Sequence, residues 1–329
     1  MDDANSSKWR PGELIEDARP LFLDAAQFAA AWRKRPFALA LVLFALTVIS
    51  TLAVGREFSL SYAQNRAPFA GLANPFAPTW QALVHPRLLL QGLPFSLTLI
   101  SILLVHELGH FFACRHYGIN ASYPYFLPAP TLIGTFGAFI RIRSPILNRR
   151  ALFDVGISGP VAGFALALPI LAAGVYFSKI VPGAQKDALV IFGNPPLMNF
   201  FIALFHPGAR ASDVLLRPVA LAAWVGLFAT ALNLLPIGQL DGGHIVYSLS
   251  SEKHRRISQV AGAALLFLAI FFWHGWIVFA VLVFILGYRH PMLLDSWTPL
   301  DRTRRAWAIV ALAIFLLCFT PMPLSNPPI

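Results

Sequence analysis

Residues Ser101–Ala113 read SILLVHELGHFFA, and the reading of this stretch decides the fold. His106, Glu107 and His110 interrupt an apolar run that otherwise has the character of a bilayer-spanning helix. An ionisable group at the centre of a membrane helix costs about 2.5–3.5 kcal/mol on insertion scales, so three within five positions need a compensating partner. A metal ion is such a partner. On a helix, positions four apart share a face, so His106 and His110 can both direct an imidazole nitrogen at one ion. Glu107 is rotated about 100° from His106, which suits it to a water on that ion better than to the ion itself.

The rest of the sequence agrees with a membrane setting. The chain has 329 residues, 57% of them hydrophobic and 12% charged, where a soluble globular protein has about 25% charged. The net charge of +10 arises from short basic clusters between apolar runs, not from a basic face, and this excludes a nucleic-acid partner. Two cysteines, Cys114 and Cys318, supply neither a disulfide framework nor a CxxC zinc site. Residues 1–36 are too long and too acidic for a signal-peptide leader, so the first apolar run is expected to be retained.

Runs long enough to cross about 30 Å of hydrocarbon fall at Phe37–Val54, Pro94–Cys114, Val155–Phe177 and Val214–Leu235. Ile257–Tyr288 is interrupted by WHGW at 273–276 and reads as two short spans or one long tilted helix, and Trp307–Phe319 spans only with its flanks. The expected fold is an all-α polytopic membrane protein with about six to seven transmembrane helices. Counted as seven crossings with the N-terminus inside, eighteen of the 25 Lys and Arg fall on inner segments and seven on outer ones. That split predicts a cytoplasmic N-terminus, and the expected location is a bacterial cytoplasmic membrane, multi-pass. The predicted organisation is a cytoplasmic tail (1–36), a first span with an outer segment (37–93), a catalytic core (94–247) and C-terminal helices (248–329).

Two histidines leave a catalytic zinc site one protein ligand short of the usual three. Among the downstream acids, only Asp241 follows directly on an apolar span, within NLLPIGQLDGGHIV, where Pro236 and three glycines can open the helix and turn a carboxylate inward. Glu252 lies in the charged stretch SSEKHRR. His244 as a fourth ligand would fill the position a water needs, and His116 and His290 read as interfacial residues beside arginines.

His106, Glu107 and His110, followed by Asn233, Pro236, Leu240, Asp241 and Gly242 as NxxPxxxLDG, resemble the site-2 protease family of intramembrane zinc metalloproteases (peptidase family M50). The resemblance implies Zn²⁺ held by His106, His110 and Asp241, Glu107 as catalytic acid/base, and Asn233 as a hydrogen-bond donor to the substrate or transition state. It also implies a membrane re-entrant β-hairpin, whose glycines match Gly134 and Gly137 as substrate-binding positions. Read without it, the imperfect alternation from Phe136 to Arg143 fits a hairpin with one wet face or an amphipathic loop with basic anchors. The glycines of GISGPVAGF (Gly156, Gly159, Gly163) are expected to serve helix packing. Ile191–Ala209 reads as a short interfacial helix. The implied activity is hydrolysis of peptide bonds within or near transmembrane segments of other membrane proteins, with those proteins and the lipid bilayer as partners. The alternative is a non-enzymatic membrane protein that binds or transports zinc; transport predicts further acids or histidines on other spans, which carry almost none.

Overall fold

The computed structural model describes residues 37–70, 86–185, 188–286, 293, 295 and 298–325. The N-terminal tail and His290 lie outside the described residues. Helix α1 (Phe37–Ala63) is apolar from Phe37 to Gly55 apart from a few Ser and Thr and, at 27 residues, extends about 40 Å, enough to cross a bilayer. A 3₁₀ segment (Pro86–Gly92) leads into α2 (Leu93–His116), which carries the histidines. Strands β1 (Tyr125–Pro128) and β2 (Thr135–Phe139) form an antiparallel hairpin, and α3 (Arg149–Tyr176) follows, its first turn capped by the Asn148 side chain. Three helices, Phe37–Ala63, Arg87–His116 and Arg149–Tyr176, are long and apolar enough to cross a membrane. The chain is a mostly helical membrane protein.

Beyond α3 the elements shorten. Strand β3 (Lys179–Ile180) pairs with β5 (Val214–Leu215), and β4 (Ile191–Phe192) with β6 (Leu324–Ser325). Between them α4 (Pro196–Phe205) buries Leu197, Met198, Phe201 and Ile202 on one face, the pattern expected of a short interfacial helix. Helix α5 (Pro218–Asn233) is followed by α6 (Asp241–Leu249), α7 (Ser251–Phe271), α8 (Trp276–Leu286) and α9 (Arg302–Cys318). Of the two readings of Ile257–Tyr288, the described residues show separate helices broken at Phe272–Gly275.

Several boundaries differ from the sequence reading. The run Val214–Leu235 contains a helix of only 16 residues, about 24 Å long, because Pro218 sets its start and the chain leaves it after Asn233 to carry Asp241 back inward. Most of α5 is buried, including Trp224 at 1% exposure, so its neighbours are protein and not lipid. Arg56, counted on an outer segment, and Glu57 both lie on α1, with Glu57 buried and bonded to Ser61 at 3.1 Å. The hairpin begins earlier than its alternating segment, since β1 is the YFLP at 125–128 and APTLIG at 129–134 forms the connection.

Close helix approach positions the core. Helices α2 and α3 meet where a Cβ on Gly109 would come 2.5 Å from the Ser158 carbonyl oxygen. At one end of the bundle, Arg304 of α9 clamps Asp154 of α3 through bonds of 2.8 and 2.5 Å, while the Tyr117 hydroxyl also donates to Asp154.

Candidate metal centre

Helix α2 places His106, Glu107 and His110 inside the protein, at 4%, 4% and 6% exposure. The 3.6-residue period brings both imidazoles to one side, with their Nε2 atoms 3.2 Å apart. Asp241 is the first residue of α6, where the helix dipole favours a negative charge. Its Oδ2 lies 3.3 Å from each Nε2. The loop that delivers it folds tightly on itself. A side chain at Gly242 would strike the Leu234 carbonyl and one at Gly243 the Gly238 carbonyl, so the two glycines after the aspartate answer to backbone crowding. His254 and Ser258 of α7 grip the same loop, His254 through the Gly238 carbonyl at 3.2 Å and Ser258 through the Gly238 amide at 3.2 Å.

The three donor atoms test for a metal by their own geometry. They form a triangle with edges of 3.2, 3.3 and 3.3 Å. Donors at about 2.0–2.1 Å from a tetrahedral centre are separated by about 3.3–3.4 Å, so the triangle matches one face of a zinc tetrahedron. The His110 Nδ1 lies 2.7 Å from the Val155 carbonyl of α3 and donates to it, which leaves the Nε2 lone pair of a neutral ring facing the carboxylate. Two acceptors 3.3 Å apart repel unless a proton or a metal cation lies between them, and the triangle of three donors has the size for the metal. Among the described residues, His106, His110 and Asp241 form the one group of three or more metal-ligating side chains of this kind.

Glu107 stands outside the triangle. Its carboxylate accepts from the backbone amide of Ile140, immediately after β2, and it borders both cavities that meet at the site. The first cavity is mainly apolar and the second is lined by His110, Gln239, Asp241 and His244. Asn233 at the end of α5 sets its amide nitrogen 3.2 Å from His106 Nε2 and also borders both.

The two hairpin glycines separate. Gly137, at φ 104°, lines the apolar cavity beside His106 and Glu107, with nothing within 4 Å of where its Cβ would be. Gly134, at φ 84°, lies against α1, where Ser50 bonds its carbonyl at 2.6 Å and a Cβ would come 2.8 Å from the Ser50 oxygen. It is a turn and anchoring position, and among the described residues it does not border either cavity at the site.

The glycine run of α3 has a role that the sequence reading assigned only to packing. A Cβ on Gly159 would overlap the His110 ring, one on Gly163 would lie 3.1 Å from His106 Nδ1, and one on Gly156 would lie 2.9 Å from His244 Cβ. The spacing of these glycines along α3 was visible, but what faces them was not. His254 and Ser258 were also missed, since a charged loop and a membrane run gave no hint that they hold the turn before Asp241.

Comparison with known proteins now adds to the geometry. The sequence pattern of Peptidase family M50 matches residues 94–275, which contain the whole triangle, Glu107 and Asn233. The chain is 34% identical over 221 residues to the probable zinc metalloprotease EGY1, chloroplastic, of Arabidopsis thaliana, covering 64% of this chain and 39% of that protein. It is 32% identical over 247 residues to the probable zinc metalloprotease EGY2, chloroplastic, of the same plant, covering 73% and 43%. The chain thus spans about two fifths of the length of these curated relatives. On the match across more than half its length, together with the two motifs that converge in space, the chain belongs to peptidase family M50.

Proposed function

We propose that this chain is an intramembrane zinc metalloprotease that cuts peptide bonds within or near transmembrane segments of other membrane proteins. The observation that carries the proposal is the tetrahedral face formed by His106, His110 and Asp241 with Glu107 beside it, buried on a membrane helix. A structural zinc site is closed by four protein ligands, whereas three ligands beside a cavity leave the opening a catalytic site needs. His106, His110 and Asp241 would hold the zinc. When bound, zinc polarises the scissile carbonyl and lowers the pKa of water to about 7. Glu107 takes the proton of the attacking water and returns it to the departing amine. Asn233 donates to the peptide carbonyl oxygen, and the Val155 carbonyl keeps His110 in the tautomer whose Nε2 faces the site.

A helical substrate hides its scissile bond in backbone hydrogen bonds and must unwind locally, so Gly, Pro or polar residues near the cut favour cleavage. The outer edge of β2 suits the unwound segment, which adds there by main-chain hydrogen bonds. Support for a re-entrant hairpin comes from its loop, which meets α1 at Ser50 and Thr51, midway along a 27-residue span. Hairpin pairing and burial against α1 satisfy backbone groups at that depth.

Purified protein is expected to hold one zinc per chain and to cut a transmembrane substrate in a chelator-sensitive way. Asp241→Ala should lower zinc occupancy well below half and abolish cleavage, as read by metal analysis and by gel. Full occupancy with activity retained would remove Asp241 from the site.

The proposed arrangement has seven crossings, a cytoplasmic N-terminus and the basic ends of α2, α3 and α7 facing the cytoplasm. Cysteines placed at Ser7 and Glu252 should resist a membrane-impermeant thiol reagent in intact cells and react after lysis. Native Cys114 and Cys318, at 0% and 1% exposure, leave a low background. Labelling of either introduced cysteine from outside would reverse the orientation.

A further inference from the structure

The apolar cavity at the site has a shape that the proposed chemistry does not by itself require. It starts at His106 and Glu107 and runs between α2, β2 and α5 to Phe279 of α8. Its volume is about 170 Å³. An apolar cavity of about 150 Å³ takes one benzene ring, and close-packed interiors keep few voids of that size. The space exists because residues facing it are small, Ala229 from α5 and Gly137 and Ala138 from β2, whereas the missing side chain of Gly226 lets Ile102 of α2 pack against α5. Ile102, Leu103 and Leu235 supply apolar walls. Thr230 also borders it, but its hydroxyl already donates to the Gly226 carbonyl at 2.9 Å.

We infer that this cavity is the main specificity pocket, and that it takes one large apolar side chain, of phenylalanine or leucine size, from a substrate residue next to the bond that is cut. The inference rests on the protease reading. Its position follows from the shared lining: the side chains of Glu107, His106 and Asn233 border this cavity, so a group seated in it belongs to a residue whose backbone lies at the donor triangle. A chain laid along β2 sends alternate side chains to opposite faces, so one side chain enters the pocket while its neighbours point away. Gly137 leaves that path open, because nothing lies within 4 Å of where its Cβ would stand. An acidic side chain in the same place would sit against apolar walls beside the Glu107 carboxylate, so acidic residues are rejected there.

The test uses transmembrane peptides identical except for Phe, Leu, Ala or Asp at one position, moved residue by residue through the cleavage region. Cleavage by the wild type is measured as kcat/KM, and binding to the full-length Glu107→Gln protein as Kd. At one position beside the cut, Phe and Leu should exceed Ala about tenfold to a hundredfold in both readouts, with Asp weakest. Ala229→Phe places a ring in the pocket and should reduce the Phe-to-Ala ratio at least tenfold, and Ala229→Leu should reduce it less. The wild-type preference needs no variant, so a misfolded Ala229→Phe leaves the inference open to refutation. Equal values for Phe and Ala at every position overturn it, as does a folded Ala229→Phe with an unchanged ratio. Cleavage that depends on Glu107 but ignores side-chain size sinks the pocket and spares the protease reading. Preferential binding of the Phe peptide, with no cleavage of any peptide, does the reverse.

Discussion

Replacement of Glu107 by glutamine is expected to lower peptide-bond cleavage at least a hundredfold while zinc occupancy stays at one per chain. The two side chains have the same shape, so the amide fits the site that Glu107 occupies at 4% exposure. Glu107 is not a member of the donor triangle of His106, His110 and Asp241, and so metal binding is expected to survive its loss. What disappears is the group that accepts a proton, and general-base catalysis is worth about 10²–10⁴ in rate. Single-turnover cleavage of a transmembrane substrate, run beside metal analysis of the same preparation, reads both quantities. His106→Ala is the contrasting variant, expected to lose zinc and cleavage together. Near wild-type cleavage by a zinc-loaded Glu107→Gln protein would falsify the assigned chemistry. In cells, the same variant should let single-pass membrane proteins accumulate uncut, and comparison of membrane proteomes would name the substrates.

The second large effect is expected from a residue that binds nothing. Gly159→Ala should drop zinc occupancy below half and cleavage at least tenfold, although the change adds one methyl group. The new Cβ would occupy space filled by the His110 ring. That ring has no free direction in which to retreat, because Nδ1 is held 2.7 Å from the Val155 carbonyl and Nε2 faces Asp241 at 3.3 Å. Helix α3 cannot shift away cheaply, since overpacking a close helix contact costs about 1–3 kcal/mol. Gly163→Ala provides a graded comparison. Its Cβ would lie 3.1 Å from His106 Nδ1, tight enough to displace the ring by a few tenths of an ångström, so a smaller loss of zinc affinity is expected. Full zinc occupancy and activity in Gly159→Ala would show that the contact yields without moving His110. Thermal melting of the metal-free proteins separates a displaced ligand from a general loss of fold.

These expectations divide according to what made them legible. The membrane setting and the pairing of His106 with His110 follow from composition and from the helical period, which operate over a few residues and need no knowledge of neighbours. Asp241 was found by elimination, because a carboxylate directly after an apolar span and among glycines has few other reasons to be there. The hairpin was half legible. Phe136–Phe139 lies in the alternating segment, but Tyr125–Pro128 is four residues that include Pro128 and are flanked by Pro124 and Pro130, and it becomes a strand only through its pairing with β2.

The remaining features were decided by tertiary contact. The spacing of Gly156, Gly159 and Gly163 is consistent with any close helix neighbour, and only the packing of α3 on α2 and α6 sets Gly159 and Gly163 against the imidazoles of His110 and His106 and Gly156 against His244. His254 and Ser258 act on a turn sixteen or more residues earlier in the chain, which no local pattern can report. The length of α5 was overestimated because hydropathy measures how apolar a run is and cannot tell burial in protein from burial in lipid. The apolar cavity beside His106 and Glu107 is a space left between elements, so no single segment encodes it. The sequence by itself determined that His106 and His110 share one face of a helix and that the helix is apolar enough to cross a membrane. The fold decided what holds those side chains in place and what lies beside them, because contacts across the bundle depend on which faces pack and how closely the backbones can approach.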